Sequence, residues 1–248
     1  MSKLSANNIS KSYNNKAIIK DVTLALYEGE IVCLLGVSGV GKTTLFNILS
    51  GVLSPDSGKV LLDHRDITGE AGYISYMLQK DLLLPYKTVL DNVSLPLIIK
   101  KENKLLARQR AEGYFEMFGI NGTQNKYPHQ LSGGMRQRAA LLRTYLFSQE
   151  VALLDEPFSA LDTITKSKMH SWYLKVMEKI KLSTLFITHD IDEAIILSDR
   201  IYIMTGAPGR ITSEINIDHT KPRGETFVLS EQFIEYKRKI INILESDK

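Results

Sequence analysis

The stretch Gly36-Val37-Ser38-Gly39-Val40-Gly41-Lys42-Thr43-Thr44 decides the fold of this chain. It directly follows the apolar run 31–35 and precedes Leu45, Ile48 and Leu49, which recur at helical spacing. Glycines let the backbone wrap closely around phosphate oxygens, and the free N–H groups at a helix start attract an anion. The order of strand, glycine-rich loop and helix therefore predicts a phosphate-binding loop.

Two side chains at the end of this loop have separate predicted roles. Lys42 is placed to reach the outer phosphates of a nucleotide, and Thr43 to offer its hydroxyl to a magnesium ion. The whole loop, 36–44, is expected to contact the nucleotide. The alternative, a glycine turn that happens to precede Lys-Thr, does not account for the strand and helix on either side.

A second motif ends the apolar run 151–154 in two adjacent acids, Asp155 and Glu156. An acid at the carboxyl end of a parallel strand lies where such sheets bind ligands. We expect Asp155 to hold the magnesium ion, directly or through water, and Glu156 to orient or deprotonate the attacking water. Acids that merely end a strand at the surface are the alternative, and the nearby phosphate loop disfavours it.

The order of the strand and helix patterns predicts an α/β fold with a mostly parallel sheet and an antiparallel β element. Near-continuous apolar runs are typical of parallel strands that are buried on both faces. Such runs occupy residues 31–35, 151–154, 184–188 and 200–204. Shorter, partly β-branched segments at 17–26 and 59–62 predict the antiparallel element.

The middle of the chain, 89–147, has an almost wholly helical pattern and predicts a helical subdomain inserted in the α/β core. In this part, Ala111, Phe115 and Phe118 recur at a spacing that places them on one helix face. A packed amphipathic helix is expected over 230–244. We treat 1–248 as a single domain.

Composition limits the class of protein. The 248 residues are 44% hydrophobic and 24% charged, which is enough to bury a full core. No apolar run approaches the roughly 20 residues that cross a bilayer, and the first residues lack a secretory signal pattern. We therefore expect a cytoplasmic protein. Basic and acidic residues are almost equal in number, with a net charge of +3, which argues against a nucleic-acid partner.

The segment Leu131-Ser132-Gly133-Gly134-Met135-Arg136-Gln137-Arg138 opens another predicted helix. A hydroxyl and two glycines at a helix start make a second anion site. Together with Gln79, Ser159-Ala160-Leu161-Asp162 and His189, this segment resembles the nucleotide-binding subunits of ATP-binding-cassette (ABC) transporters over essentially the whole chain. The resemblance implies a P-loop NTPase core of the RecA-like type, ATPase activity, and ATP and Mg²⁺ as cofactors.

Further roles are implied by this resemblance. Tyr13 matches the aromatic residue that stacks on adenine, although by itself it is typical of a core aromatic. Gln79 matches the glutamine that senses magnesium and the attacking water, in a loop that faces the membrane partner. His189 matches the switch histidine that contacts the γ-phosphate, and Asp190 with Glu193 forms a candidate capping box for the next helix.

The resemblance also implies an ATP-dependent homodimer. In the family, Ser132, Gly133 and Gly134 close over the nucleotide of the opposite subunit, and Asp162 helps to tie the two subunits together. Two ATP molecules then lie at a two-fold interface. Met135 departs from the glutamine of many relatives, and this departure affects no catalytic role.

Two segments resemble bacterial importer subunits. The stretch 82–93 is expected to dock a coupling helix of two permease subunits, which work with a solute-binding protein at the cytoplasmic face of the membrane. The segment Ala207-Pro208-Gly209-Arg210-Ile211 resembles the branch that imports nitrate, sulfonate, taurine or a thiamine precursor. The alternative for this segment is an ordinary turn between two strands.

Three other functions share part of this pattern. A cassette ATPase acting on nucleic acid or the ribosome usually has two cassettes or a long coiled-coil insertion, and this sequence has neither. A small-molecule phosphotransferase shares the phosphate loop but has no reason to carry the segment that begins at Leu131. An exporter subunit is the closest rival, and its neighbouring genes would distinguish it from an importer subunit.

Overall fold

The structure, a computed structural model, describes residues 2–218, 223 and 225–246. In this part of the chain the strands are β1 (Ser2–Tyr13), β2 (Lys16–Tyr27), β3 (Ile31–Gly36), β4 (Ser57–Leu62), β5 (Arg65–Asp66), β6 (Ser75–Met77), β7 (Val151–Asp155), β8 (Ser183–Thr188), β9 (Arg200–Thr205) and β10 (Arg210–Asn216). The helices are α1 (Lys42–Leu49), α2 (Val89–Ile99), α3 (Lys104–Glu112), α4 (Gly133–Phe147), α5 (Thr163–Ile180), α6 (Ile191–Leu197), α7 (Glu225–Val228) and α8 (Glu231–Ser246).

The larger sheet has the strand order β10-β9-β3-β8-β7-β6. Strand β3 pairs in parallel with both β8 and β9, and β7 pairs in parallel with β6 and β8. Among the described strands of this sheet, only the edge strand β10 runs antiparallel to its neighbour. Because parallel strands end at the same edge, the loops that follow β3, β6, β7 and β8 meet there.

Both faces of the larger sheet are covered, which explains the unbroken apolar run of β3. Ile31, Cys33 and Leu35 point into one hydrophobic core, which they share with the helices on that side. Val32 and Leu34 point into a second core, which contains residues of α1 and of the smaller sheet. Successive strand residues face opposite sides, so every position of β3 has to be apolar or small.

The smaller sheet is antiparallel, with the order β2-β1-β4-β5. It lies over α1 and buries Leu4, Val22 and Val60 against that helix. The parallel strands predicted at 31–35, 151–154, 184–188 and 200–204 are confirmed to within one residue at each end. The antiparallel segments at 17–26 and 59–62 and the terminal helix, here α8, are confirmed to within two residues. The predicted fold class is confirmed.

Four of the described strands, β1, β5, β6 and β10, were missing from the sequence-based assignment, and β5 and β6 are only two and three residues long. Strand β1 buries Leu4, Ala6 and Ile9, but bulges break its alternation, and Asn8 has a positive φ of 53°. The apolar period therefore shifts within the strand, and the pattern is lost. Strand β10 lies at the sheet edge and buries only Ile215, so its sequence has too few apolar positions to be recognised.

The expectation of an almost wholly helical middle is wrong for residues 113–132. This stretch consists of turns and a short 3₁₀-helix, Pro128–Gln130, placed between α3 and α4. Gly119 and Gly122 have positive φ values of 64° and 78°, which end helical geometry. Phe115 and Phe118 are nevertheless buried, so their spacing reflects consecutive turns rather than a continuous helix face.

Phe118 tests the packing of this turn region. Its ring is fully buried and contacts the rings of Tyr145 in α4 and Trp172 in α5. We expect Phe118→Ala to lower the free energy of unfolding by about 3–5 kcal/mol, measured in urea, because it leaves a cavity. Met117 is 38% exposed, so Met117→Ala should change stability by no more than about 0.5 kcal/mol. Equal effects of the two substitutions would contradict this packing.

Candidate active site

A cavity of about 690 Å³ opens where the loops after β3, β6, β7 and β8 meet. Most of the predicted site residues line it: Gly36, Val37, Ser38, Gly39, Gly41, Lys42, Thr43, Thr44, Gln79, Asp155, Glu156 and His189. Residues of four separate chain segments thus come together at one edge of the sheet. The wall also includes apolar residues that sequence reasoning missed, such as Ile18 and Leu244.

The other predicted site residues do not line this cavity. Val40 is buried behind the loop, and Tyr13 lies at the end of β1 with 46% of its surface exposed. Ser132, Gly133 and Gly134 form the start of α4 and are absent from the cavity wall. The structure of one chain therefore separates the phosphate loop from the second predicted anion site.

The phosphate loop is closed on itself by Lys42. The Lys42 Nζ donates hydrogen bonds to the backbone oxygens of Gly36 and Val37, at 2.7 and 2.9 Å. Burial lowers the pKa of Lys42, and the nearby charges of Glu156 and Asp155 oppose that shift. A phosphate that replaces the two carbonyls would offer the ammonium charged acceptors, which make stronger hydrogen bonds.

A glycine turn from a distant part of the chain supports the loop. Gly209, in the turn between β9 and β10, donates its N–H to the Ile18 oxygen at 2.8 Å. A Cβ at Gly209 would lie 2.0 Å from the Val40 oxygen, so no larger residue fits there. The 207–211 segment is thus a turn between two strands, and it also packs against the backbone of the phosphate loop.

Asp155 faces Thr43 across the cavity floor. The Thr43 hydroxyl and the Tyr76 hydroxyl each lie 3.4 Å from Asp155 Oδ2. Burial and then repulsion by Glu156 raise the pKa of Asp155. A hydroxyl and a carboxylate are the hard oxygen donors that Mg²⁺ takes alongside phosphate oxygens, so these residues fit that ion. In the described part of the chain, no group of three or more His, Cys, Asp or Glu side chains forms a metal site.

Two side chains from different loops hold the Glu156 carboxylate. Gln79 Nε2 donates to Glu156 Oε2 at 2.9 Å, and His189 Nδ1 lies 3.0 Å from Glu156 Oε1. The backbone of Glu156 has a φ of 46°, a left-handed conformation that is unfavourable for a residue with a side chain. Such conformations cluster at functional sites, where the surrounding contacts enforce them.

The start of α4 is arranged as a capped helix. Ser132 is the N-cap and accepts a hydrogen bond from the Met135 N–H at 3.3 Å. Ser132 is exposed and Gly133 and Gly134 are half-buried, so this helix start faces outward. An exposed helix start with free N–H groups is suited to an anion that another molecule presents.

The predicted capping box of α6 is half wrong. Asp190 caps the helix as expected, because its Oδ1 accepts from the N–H groups of Asp192 and Glu193. The Asp190 N–H, however, donates to the Thr188 hydroxyl rather than to Glu193. The Glu193 side chain is 2% exposed and lies 3.8 Å from Lys166 Nζ and 3.9 Å from His170 Nε2. Burial raises the pKa of Glu193 to about 8.

This buried carboxyl makes stability depend on pH. A glutamate in the unfolded chain has a pKa of about 4.3, so between this pH and 8 the folded state holds a proton that the unfolded chain releases. The contribution of Glu193 to the free energy of unfolding is therefore fully present below a pH of about 4.3 and is lost as the pH rises through 8. We therefore expect the thermal midpoint of Glu193→Gln, relative to wild type, to increase from pH 5 to pH 8.5.

The matched control for this prediction is Glu178→Gln, because Glu178 is exposed on α5. Its midpoint relative to wild type should stay constant over the same pH range. Burial also lowers the pKa of His170 to about 4, but this group titrates in both proteins and cancels in the difference. A pH-independent difference for Glu193→Gln would contradict the buried, protonated carboxyl.

A buried central parallel strand, a phosphate loop, and a pair of adjacent acids define this protein as a nucleotide-hydrolysing P-loop cassette. Comparison with known proteins agrees. The sequence model of the family described as ABC transporter matches residues 19–159. The chain therefore belongs to the ABC transporter family, and the predicted ATP-binding cassette and ATPase activity are confirmed.

Individual relatives cover most of the chain. The formylaminopyrimidine import ATP-binding protein ThiZ of Halalkalibacterium halodurans is 44% identical over 84% of this chain and 82% of its own length. The nitrate import ATP-binding protein NrtD of Synechococcus elongatus is 39% identical over 86% of this chain and 79% of its own. A dimeric ATP-binding cassette, solved in a post-hydrolysis state with ADP and Pi, is 30% identical, with a TM-score of 0.74 over 88% of this chain and 100% of that one.

Within the described part of the chain, no helix combines the length and the hydropathy that a membrane span requires.

Proposed function

We propose that this chain hydrolyses ATP to drive solute import through separate membrane subunits, with residues 1–248 acting as one nucleotide-binding domain. In that domain the helices of 89–147 form an inserted subdomain. The observation that carries this proposal is the convergence of Gln79 and His189 on the Glu156 carboxylate, beside Asp155 and above the phosphate loop. A site that only bound nucleotide would not require a base held from two sides.

In the proposed binding step, the triphosphate lies along the backbone N–H groups of the loop 36–44. Lys42 leaves its two loop carbonyls and binds the outer phosphates. Thr43 and Asp155 are the residues that would hold Mg²⁺, with Gln79 beside them; the ion would supply charge neutralisation for the phosphates. Tyr13 is proposed to stack on the adenine from the end of β1.

In the proposed hydrolysis step, Glu156 accepts a proton from the attacking water. The water oxygen forms a bond to the γ-phosphorus as the bond to the β–γ bridging oxygen breaks, which yields ADP and phosphate. Gln79 and His189 orient the carboxylate, and His189 is placed to contact the γ-phosphate. Most of the rate enhancement then comes from positioning and charge stabilisation.

A second copy of the chain completes the site in this proposal. Ser132, Gly133 and Gly134 lie outside the cavity of their own chain and face outward, so they are available to the nucleotide of a partner cassette. Asp162, at the start of α5, is proposed to contact the partner as well. The two ATP molecules would then form much of the interface, and ATP would shift the chain from monomer to homodimer by mass action.

The loop after Gln79 is the proposed contact with the two permease subunits, on the cytoplasmic face of the membrane. Leu82 and Tyr86 are large apolar side chains that are 51% and 72% exposed in this loop. Arg143 of α4 holds the same loop by donating to the backbone oxygens of Leu82 and Asp81, at 2.8 and 2.5 Å. A movement of the permease would therefore reach both Gln79 and the helix that begins at Ser132.

The import names of two relatives support the branch predicted from residues 207–211. We propose nitrate, a sulfonate, taurine or a thiamine precursor as the transported solute, which a separate solute-binding protein delivers. The solute itself does not reach this subunit, so the chain's own residues act only on ATP.

Glu156→Gln tests the proposed chemistry. Glutamine keeps the shape and the contact with His189 but accepts a proton poorly, so we expect kcat for ATP hydrolysis to fall by about 10²–10⁴-fold. ATP affinity, measured by calorimetry, should stay within a factor of about three because the phosphate loop is unchanged. The control is Glu235→Gln, an exposed glutamate on α8. Normal turnover in Glu156→Gln would show that Glu156 is not the base.

A further inference from the structure

Two side-chain contacts connect the segment of Glu156, the proposed base, with the segment of His189, the switch histidine. The first link is direct, from Glu156 Oε1 to His189 Nδ1 at 3.0 Å. The second link lies ten residues further along, where Lys166 Nζ of α5 donates to Asp190 Oδ2 at 3.1 Å. Residues 157–165 lie between these two links. We call 157–162, which includes Asp162, the partner-contact segment.

Lys166 is held in place from within its own helix. Asp162 caps α5 by accepting from the Thr165 N–H at 3.0 Å, and the Lys166 N–H donates to the Asp162 backbone oxygen at 2.8 Å. The position of Lys166 therefore follows the position of the proposed partner-contact segment. Its ammonium is 3.8 Å from Glu193 Oε2, so a second acid of α6 lies on the same side.

Asp190 divides its two carboxylate oxygens between two elements. Oδ1 caps α6 through the N–H groups of Asp192 and Glu193, and Oδ2 receives Lys166. Because Asp190 directly follows His189, the Lys166 contact fixes the backbone that positions the imidazole. His189 itself is exposed, with 62% of its side-chain surface accessible, so packing around the ring does not fix it.

The ion pair between Lys166 and Asp190 is partly shielded from solvent. The side chains of Lys166 and Asp190 are 23% and 34% exposed, so solvent screens the pair less than an exposed one. Exposed ion pairs typically contribute little to stability.

We propose that Lys166 is a positioning residue for hydrolysis, which acts through Asp190 to hold His189 against Glu156 and thereby couples the partner-contact segment to the switch histidine. This inference rests on the proposed roles of Glu156 and His189. When the partner cassette displaces the segment at Asp162, Lys166 transmits that displacement to His189. The chain offers Lys168, exposed on the same helix, as a matched control.

The first test is steady-state ATP hydrolysis by the full chain. We expect Lys166→Met to lower kcat on the order of 10-fold, since a small misplacement of a catalytic group has that effect, and to leave KM within about twofold. Lys166→Arg should restore most of kcat because it keeps the cation. Lys168→Met should match wild type. An unchanged kcat in Lys166→Met, or a change in KM alone, would overturn the proposal.

A double substitution separates positioning from a general loss of stability. If Lys166 acts through His189, then Lys166→Met should lower kcat much less in a His189→Ala background than in the wild type. The same fold-loss in both backgrounds would show that Lys166 acts independently of His189. Asp190→Asn provides a second variant, because asparagine still caps α6 and removes only the charge that Lys166 binds. It should reproduce the loss of kcat.

A spectroscopic test does not depend on turnover. In protein with labelled histidine, the ring signal of His189 should move in Lys166→Met and stay in place in Lys168→Met. The signal of His129, in the helical subdomain, serves as the internal reference. A stationary His189 signal would overturn the positioning role. If Glu156→Gln hydrolysed ATP normally while this signal moved, the proposed base would be wrong and the link from Lys166 to His189 would stand.

Discussion

Strand β3 lies between two hydrophobic cores, and the point where it ends fixes the place of the phosphate loop. All six of its residues are buried, with alternate side chains in opposite cores. Strands β8 and β9 pair with β3 on its two sides and fix its register. The loop that follows places Lys42 at the carboxyl edge of the sheet, where Asp155 lies at the end of β7 and His189 directly follows β8.

Several charged side chains lie close together at the carboxyl edge of the larger sheet, where burial disfavours their charged forms. Two adjacent acids and one lysine share the cavity, and burial raises the pKa of Asp155 and lowers the pKa of Lys42. Hydrogen bonds from Gln79, Thr43 and His189 offset part of this cost. A bound triphosphate with its metal ion would offer these groups charged partners, so their arrangement is suited to that ligand.

The parts of the fold and site that were predictable depend on motifs that are continuous in sequence. Each of these motifs consists of a few consecutive residues. They are the loop 36–44, the two acids at the end of β7 and the helix start at Ser132. Contacts between distant segments were not predictable in this way. Gly209 against the phosphate loop, Tyr76 beside Asp155 and Lys166 on Asp190 all depend on tertiary packing. The burial of the Glu193 side chain was not predicted for the same reason.

Local patterns also failed where the backbone departs from regular geometry. Bulges in β1 shift its apolar period, and glycines at 119 and 122 convert an apparent helix face into turns. In both places the buried residues were recognisable as apolar, but their secondary structure was set by positive φ angles. Glu156 also has a positive φ, and no feature of the sequence predicted this left-handed conformation.

A site completed by a second copy of the chain is tested most directly by the mass in solution of Glu156→Gln, with and without ATP and Mg²⁺. We expect a shift from monomer to dimer when both are added, because Ser132 to Gly134 of one chain are proposed to close over the nucleotide of the other. The double variant Lys42→Ala with Glu156→Gln should remain a monomer. A Glu156→Gln chain that binds ATP by calorimetry yet stays monomeric would contradict a site completed by a second copy.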